Sequence, residues 1–161
     1  MIILGIDPGT AITGYGIIKK EKDKLFSLEY GCILTSSSED SERRLLKIYN
    51  EITKLIKKWK PEMAAVENLF FFKNEKTAFS VGQARGVIIL AAVRNKLQVF
   101  EPTPLEVKQA VSGYGRADKQ QVQKMVKLIL TLSEIPKPDD AADALAVAIT
   151  CANTIKINQK I

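Results

Sequence analysis

Histidine is absent from the 161-residue chain. This absence excludes serine–histidine and cysteine–histidine catalysis, histidine-ligated zinc, and histidine as a general base. Any chemistry must therefore use carboxylates, lysines, hydroxyls or a hard metal ion.

Cysteine and long apolar runs are also scarce. Cys32 and Cys151 lie in unrelated segments and match no metal-ligand spacing, so we expect two reduced thiols. The longest uninterrupted apolar run, Gly86 to Val93, is far shorter than a membrane-spanning helix. No secretory signal precedes the first predicted strand. We therefore expect a soluble, cytoplasmic protein.

Acidic residues are outnumbered by basic ones. Lysine and arginine total 24, against 18 aspartates and glutamates, so the net charge is +6. A basic surplus of this kind is typical of proteins with polyanionic partners. The length and the 46% apolar content favour one domain, which we expect over residues 1–154, followed by a frayed tail over residues 155–161.

The first eighteen residues predict an opening β-hairpin. Two apolar runs, Ile2 to Ile6 and Ile12 to Ile18, flank the sequence Asp-Pro-Gly-Thr, in which proline and glycine favour a chain reversal. Lys19 to Lys24 is predicted as a charged turn and Leu25 to Leu34 as a third antiparallel strand. The short apolar run Met63 to Val66 predicts a buried strand parallel to the first.

The remaining segments predict helices and one further strand. A last strand is expected over residues 98–100. Helices are expected from an N-cap at Asp40 or Ser41 to about residue 59, where Pro61 follows, and over residues 74–94, 104–111, 118–132 and from Asp139 or Asp140 to about 154. The apolar face of the first of these helices is expected to include Leu45, Leu46, Ile48 and Ile52. The predicted fold class is α/β, with a mixed five-stranded sheet flanked by helices.

Four carboxylates are predicted to meet at one edge of this sheet. Asp7 and Glu67 follow two strands that we expect to be parallel neighbours. Asp140 and Asp143 lie three residues apart in the first turns of the last helix, where the helix dipole favours ionised carboxylates. Each acid alone has a simpler interpretation, as a turn cap, a helix cap or a solvated strand end. Four together in a basic protein instead predict a cation site.

The oxygen donors of this group suit Mg²⁺, with Mn²⁺ as the other candidate. Two such ions about 3.5–4 Å apart can act on both the attacking water and the leaving oxygen of a phosphodiester. Nucleic-acid hydrolysis would fit both the acidic centre and the basic surface.

Five segments, in chain order, resemble the RuvC family of Holliday-junction resolvases. They are IDPGTAITGYG at 6–16, AVENLF at 65–70, VGQARG at 81–86, VKQAVSGYGRADKQQVQKMV at 107–126 and DDAADALAVAI at 139–149. The resemblance implies a ribonuclease H-like fold and symmetric, metal-dependent cleavage of four-way DNA junctions by a homodimer. It also implies two metal ions per subunit and RuvA and RuvB as partners.

The resemblance assigns both catalysis and metal binding to Asp7, Glu67, Asp140 and Asp143. Asp139 could replace Asp140 if the last helix began one residue early. Some relatives carry histidine at the third acidic position, where this chain has aspartate, which leaves an all-oxygen site.

DNA-binding residues are also implied by the resemblance. Phe70 matches an aromatic residue that acts at the junction centre; three consecutive phenylalanines could otherwise be core, but cannot all point inward. Lys108 and Lys119 match lysines near the DNA backbone, where a solvated surface charge is the alternative. Further candidates are Lys73, Arg85 and Arg116.

Two other functions compete with this interpretation. The DxGT sequence also opens the phosphate-binding loop of actin-like nucleotide-binding proteins, but those need a second similar lobe, which 161 residues with one such sequence cannot provide. A non-catalytic junction-binding module is the other rival. Retention of all four acids argues against it.

Overall fold

The computed structural model describes residues 1–68 and 75–158, and it contains one five-stranded sheet. The strand order is β3-β2-β1-β4-β5. Strands β1 to β3 form an antiparallel meander, whereas β4 runs parallel to β1 and β5 runs parallel to β4. The predicted mixed sheet is therefore confirmed. The strands are β1 (Ile2–Asp7), β2 (Ile12–Glu21), β3 (Lys24–Leu34), β4 (Met63–Val66) and β5 (Gln98–Phe100).

The hairpin between β2 and β3 is longer than the sequence predicted. Pairing continues to Glu21 and Lys24, so only Lys22 and Asp23 form the turn. The prediction of a charged turn over residues 19–24 was therefore wrong. Lys22 has a φ of 54°, and this left-handed residue lets the chain reverse in two residues.

Five helices cover the sheet within the described residues. They are α1 (Ser41–Trp59), α2 (Glu75–Arg94), α3 (Pro104–Ser112), α4 (Lys119–Ile129) and α5 (Asp139–Asn158). Helix α4 ends three residues before the expected position. Helix α5 continues beyond the expected residue 154 to Asn158, and residues 159–161 of the expected frayed tail lie outside the described residues.

The two faces of the sheet carry separate hydrophobic cores. Helices α1 and α2 pack on one face, around Leu4, Ile6 and Ile88. Helices α3, α4 and α5 pack on the other, around Val126 and Leu145. Because helices cover both faces of the sheet, helix termini and loops from both layers lie near the edge where β1 and β4 end.

Helix α1 follows its predicted amphipathic pattern with one exception. Ile48 and Ile52 are fully buried, but Leu46 is 58% exposed, so its assignment to the inner face was wrong. Lys60, with a φ of 48°, ends the helix in the left-handed conformation, and Pro61 follows.

Both cysteines are free; Cys151 is fully buried and Cys32 is half-buried. Burial raises the pKa of the Cys151 thiol to about 12 and that of the Cys32 thiol to about 11. No helix within residues 1–68 and 75–158 combines the length and the apolar character that crossing a membrane requires.

Candidate active site

Strand pairing brings Asp7 and Glu67 to the same edge of the sheet. In the parallel register of β1 and β4, Ile6 lies opposite Val66, so the next residues emerge side by side. The backbone N–H of Glu67 donates to the Ile6 carbonyl at 3.1 Å, which extends the pairing by one residue. This placement agrees with the sequence prediction.

Glycines on one face of the hairpin let α5 approach the same edge. A Cβ atom added to Gly14 would lie 2.0 Å from the carbonyl oxygen of Asp140. Added Cβ atoms at Gly5 and Gly16 would likewise collide with α5. Because only glycine leaves room for the helix backbone, these positions set where the acidic first turns of α5 lie.

The four predicted acids interact electrostatically. Burial, followed by repulsion from Glu67, Asp143 and Asp140, raises the pKa of Asp7 from its ordinary 3.8 to about 8. Burial, followed by repulsion from Asp143, raises the pKa of Glu67 from 4.5 to about 7. Burial also raises the pKa of Asp143, although Lys119 opposes this effect. The acids therefore form one electrostatically coupled cluster, whose negative charge Lys108 and Lys119 offset in part.

Asp139 belongs to the rim of this cluster. Its side chain is 61% exposed and lies 3.5 Å from Nζ of Lys119. Asp140, in contrast, is one of the charges that raise the pKa of Asp7, and Asp139 is not among them. The geometry therefore favours Asp140 over Asp139 as the third acid.

Two lysines lie beside the acids. A cavity of about 240 Å³ is lined by Glu67, Asp143, Lys108 and Lys119, together with apolar residues of α3, α4 and α5. Nζ of Lys119 lies 3.0 Å from a carboxylate oxygen of Asp143. The capping box of α4, in which Asp118 accepts from the Gln121 N–H, fixes the helix start next to Lys119.

The donor set fits a hard divalent cation. All four acids offer oxygen ligands, and burial together with mutual repulsion raises the pKa values of Asp7 and Glu67. Among residues 1–68 and 75–158, however, no three acidic or thiol groups are arranged closely enough to hold an ion. Lys119 holds Asp143 in this conformation, so the carboxylates would have to close around an ion on binding.

Arg85 of α2 hydrogen-bonds to the backbone of Glu67. Its Nε donates to the Glu67 carbonyl oxygen at 3.2 Å, and its guanidinium forms an ion pair with Glu101. Only 18% of its side chain is exposed. The backbone of Glu67 is thus held on both sides, by Ile6 through its N–H and by Arg85 through its carbonyl.

Of the remaining predicted DNA-binding residues, Arg116 is within the part of the chain that the structure describes. Arg116 is exposed in the loop between α3 and α4. Phe70 and Lys73 lie outside the described residues. Two residues that support the site were not predicted from the sequence. Thr35 donates to the Thr10 carbonyl and accepts from Arg44, and so connects the loop after Asp7 to α1. No local sequence pattern marks a contact between such separate segments.

The glycines at alternate positions of β2 could have been recognised in the sequence, since residues two apart share one face of a strand.

Comparison with known proteins agrees with this geometry. The family model "Crossover junction endodeoxyribonuclease RuvC" matches residues 3–151. The chain is 57% identical over 157 residues to the protein of that name from Desulfitobacterium hafniense, covering 98% of this chain and 95% of the relative. Its relative from Moorella thermoacetica is 59% identical over 153 residues, covering 95% and 92%.

A solved structure, described as Thermus thermophilus RuvC in complex with Holliday junction substrate, superposes with a TM-score of 0.93. That match has 36% sequence identity and covers 98% of this chain and 96% of the other. It confirms the predicted ribonuclease H-like fold.

Proposed function

The chain belongs to the RuvC family of crossover junction endodeoxyribonucleases, and we propose that it hydrolyses Holliday junctions at the edge formed by Asp7, Glu67, Asp140 and Asp143. It is a structure-selective, metal-dependent endonuclease of recombination and repair, and its substrate is four-way junction DNA. The observation that carries the assignment of the site is the electrostatic coupling of partly buried acids that come from two strand ends and one helix.

Mg²⁺ is the proposed cofactor, with Mn²⁺ as a substitute and two ions per subunit, held by these four carboxylates. When bound, the ions supply Lewis acidity for the attack of water on phosphorus and for departure of the oxygen. The chain itself fixes the geometry. Strands β1 and β4 hold the backbones of Asp7 and Glu67, and the glycine-seated helix α5 holds Asp140 and Asp143.

The lysines beside the acids are the proposed contacts of the scissile strand. Lys108 and Lys119 line the same cavity as Glu67 and Asp143, so a phosphate bound there would meet both positive charge and the acidic edge. Lys119 would then exchange Asp143 for a phosphate oxygen. Phe70, Lys73 and Arg116 remain proposed DNA contacts on the family resemblance.

We also propose that the protein acts as a homodimer. Helix α2 exposes Phe79, Leu90 and Val93, which share one helix face and are 76%, 53% and 57% exposed. Cβ atoms added at Gly82 and Gly86 would meet nothing within 4 Å, so a second helix could approach closely. Two subunits would place two acidic sites on one junction, as symmetric cleavage requires. RuvA and RuvB are the partners that the family suggests.

The dimer proposal predicts that Leu90→Glu produces monomers in sedimentation equilibrium. Leu128→Glu on α4, where leucine is 68% exposed, makes the same chemical change elsewhere and should leave the dimer intact. Dimers of equal stability for both variants would contradict the assignment of the α2 face.

Cleavage of a synthetic mobile four-way junction, labelled on each strand in turn, tests the proposed function. Wild type, Glu67→Gln and the exposed control Glu134→Gln are each compared in Mg²⁺ and in EDTA. We expect paired symmetric nicks from wild type and the control in Mg²⁺ alone, and binding without cleavage from Glu67→Gln. Binding without cleavage by wild type would instead indicate a non-catalytic junction-binding module. If wild type neither bound nor cut, ATP binding would test the actin-like alternative.

A further inference from the structure

A second cleft lies beside the loop that follows Asp7. It has a volume of about 410 Å³ and is lined by residues of three segments, among them Gly9, Thr10, Arg44 and Ser80. It shares no lining residue with the cavity that contains the two lysines. Helices α1 and α2, which supply Arg44 and Ser80, pack on the sheet face opposite to α3, α4 and α5. The two cavities therefore flank the acidic edge from opposite faces.

Arg44 is held in this cleft by its inner nitrogen. Its Nε donates to Oγ1 of Thr35 at 2.8 Å, and Thr35 Oγ1 donates in turn to the Thr10 carbonyl at 2.5 Å. The Thr35 N–H also donates to the Ala11 carbonyl at 3.0 Å. The guanidinium group is thus fastened to the same loop whose first residue follows Asp7.

The outer nitrogens of Arg44 are available to a ligand. Within residues 1–68 and 75–158, neither terminal guanidinium nitrogen has a hydrogen-bond acceptor or an acidic partner. The Thr10 hydroxyl, in the cleft wall, is buried and has no hydrogen-bond partner in the part of the chain that the structure describes. None of the described side chains that line the cleft is acidic. A half-buried cation with unused donors is matched best by an anion with two acceptor oxygens.

We propose that the Arg44 cleft binds a backbone phosphate of the junction strand that is cut, on the opposite side of the scissile phosphate from Lys108 and Lys119. This inference rests on the proposed function and extends it. Thr10 follows Asp7 by three residues, so it lies within roughly 11 Å of it along the chain. Two hydrogen bonds, of 2.5 Å and 2.8 Å, then connect the Thr10 carbonyl through Thr35 to Nε of Arg44. Because a DNA strand rises about 3.4 Å per nucleotide, the bound phosphate lies within a few nucleotides of the cut.

Junction binding in EDTA, measured by fluorescence anisotropy over a range of salt concentrations, tests this inference. Arg44→Gln should weaken binding about tenfold and reduce the slope of log K against log salt by about one for each arginine engaged. Arg44→Lys keeps the charge but loses the planar fork, so it should retain the slope and lose affinity by only a few-fold.

Two controls separate DNA contact from loop support. Thr35→Val removes the hydroxyl that accepts a hydrogen bond from Arg44, and it leaves the charge of Arg44 in place. Lys47→Gln removes an exposed charge of α1 outside the cleft. Both should retain the wild-type slope to within about half a phosphate equivalent. A wild-type slope for Arg44→Gln, or an equal loss of slope in Thr35→Val, would overturn the inference.

Single neutral methylphosphonate linkages locate the contact. One linkage within a few nucleotides of the cut should weaken wild-type binding but have no further effect on Arg44→Gln. Independent, additive losses at every position would count against the cleft. If the wild-type protein failed to bind junctions, the proposed function would be refuted as well. If wild type cleaved junctions normally and Arg44→Gln bound them as wild type does, this inference alone would be refuted.

Discussion

Replacement of Asp7 by asparagine is expected to stabilise the metal-free protein more at about pH 8 than at about pH 5. The folded protein holds a proton on Asp7 until about pH 8, whereas the unfolded chain releases it near its ordinary value of 3.8. Within that window the folded state binds more protons, so the free energy of unfolding of wild type falls as pH rises. Glu67, with a pKa raised to about 7, acts in the same direction.

The magnitude follows from proton linkage. Each pH unit inside the window changes the stability by about 1.4 kcal/mol for one fully linked proton, which gives a ceiling of roughly 4 kcal/mol between pH 5 and pH 8. Because the neighbouring acids can turn toward solvent, we expect a gain of about 1–3 kcal/mol for Asp7→Asn over that range. For a chain of this size the gain corresponds to a rise in Tm of roughly 3–10 °C.

Thermal unfolding in EDTA, followed by circular dichroism, measures this effect. Asp40→Asn is the matched control, because Asp40 lies at the start of α1 and its side chain makes no cap hydrogen bond. Roughly 10 mM Mg²⁺ should raise the Tm of wild type by neutralising the acids, and should raise that of Asp7→Asn much less. If Asp7→Asn changed the Tm equally at both pH values, or if Mg²⁺ raised the Tm of Asp7→Asn as much as that of wild type, the coupling of the four acids would be refuted.

Three further changes probe the supports of the site. Gly14→Ala should cost more than about 2 kcal/mol in chemical denaturation and reduce cleavage, because its Cβ would displace the Asp140 backbone. Lys119→Met should enlarge the Mg²⁺-induced rise in Tm while slowing junction cleavage at least tenfold, because the lysine pairs with Asp143 in the metal-free protein and is the proposed contact of the scissile strand. Arg85→Gln should lower the cleavage rate about tenfold with little change in junction Kd, because it supports the Glu67 backbone.

Each of these variants has a control of the same chemical type. A Cβ atom added at Gly115 would collide with the flexible end of the Leu105 side chain and make an ordinary contact with Gln109, so Gly115→Ala should cost little. Lys124→Met and Arg94→Gln remove exposed charges from α4 and α2 and should leave the cleavage rate within about twofold. If Arg85→Gln instead weakened junction binding and left the single-turnover rate unchanged, the arginine would be a DNA contact.

The sequence by itself determined the strands and the meeting of Asp7 with Glu67. A short apolar run ends at each of these acids, and a helix between parallel strands leaves their ends at one edge of the sheet. The absence of histidine and the four acids determined the class of ligand, because donor chemistry depends on residue type alone. The helix positions likewise followed from apolar periodicity, which reports burial of one face.

Only the tertiary structure decided which residues of separate segments contact one another around the site. The position of the Asp140 backbone depends on the space that Gly14 leaves for it, and the hydrogen bond of Arg85 depends on a carbonyl in another segment. The exposure of Leu46 and the open donors of Arg44 depend equally on what packs beside them. These contacts join residues far apart in the chain, so their distances, and hence their energies, exist only once the sheet and its two helical layers have assembled.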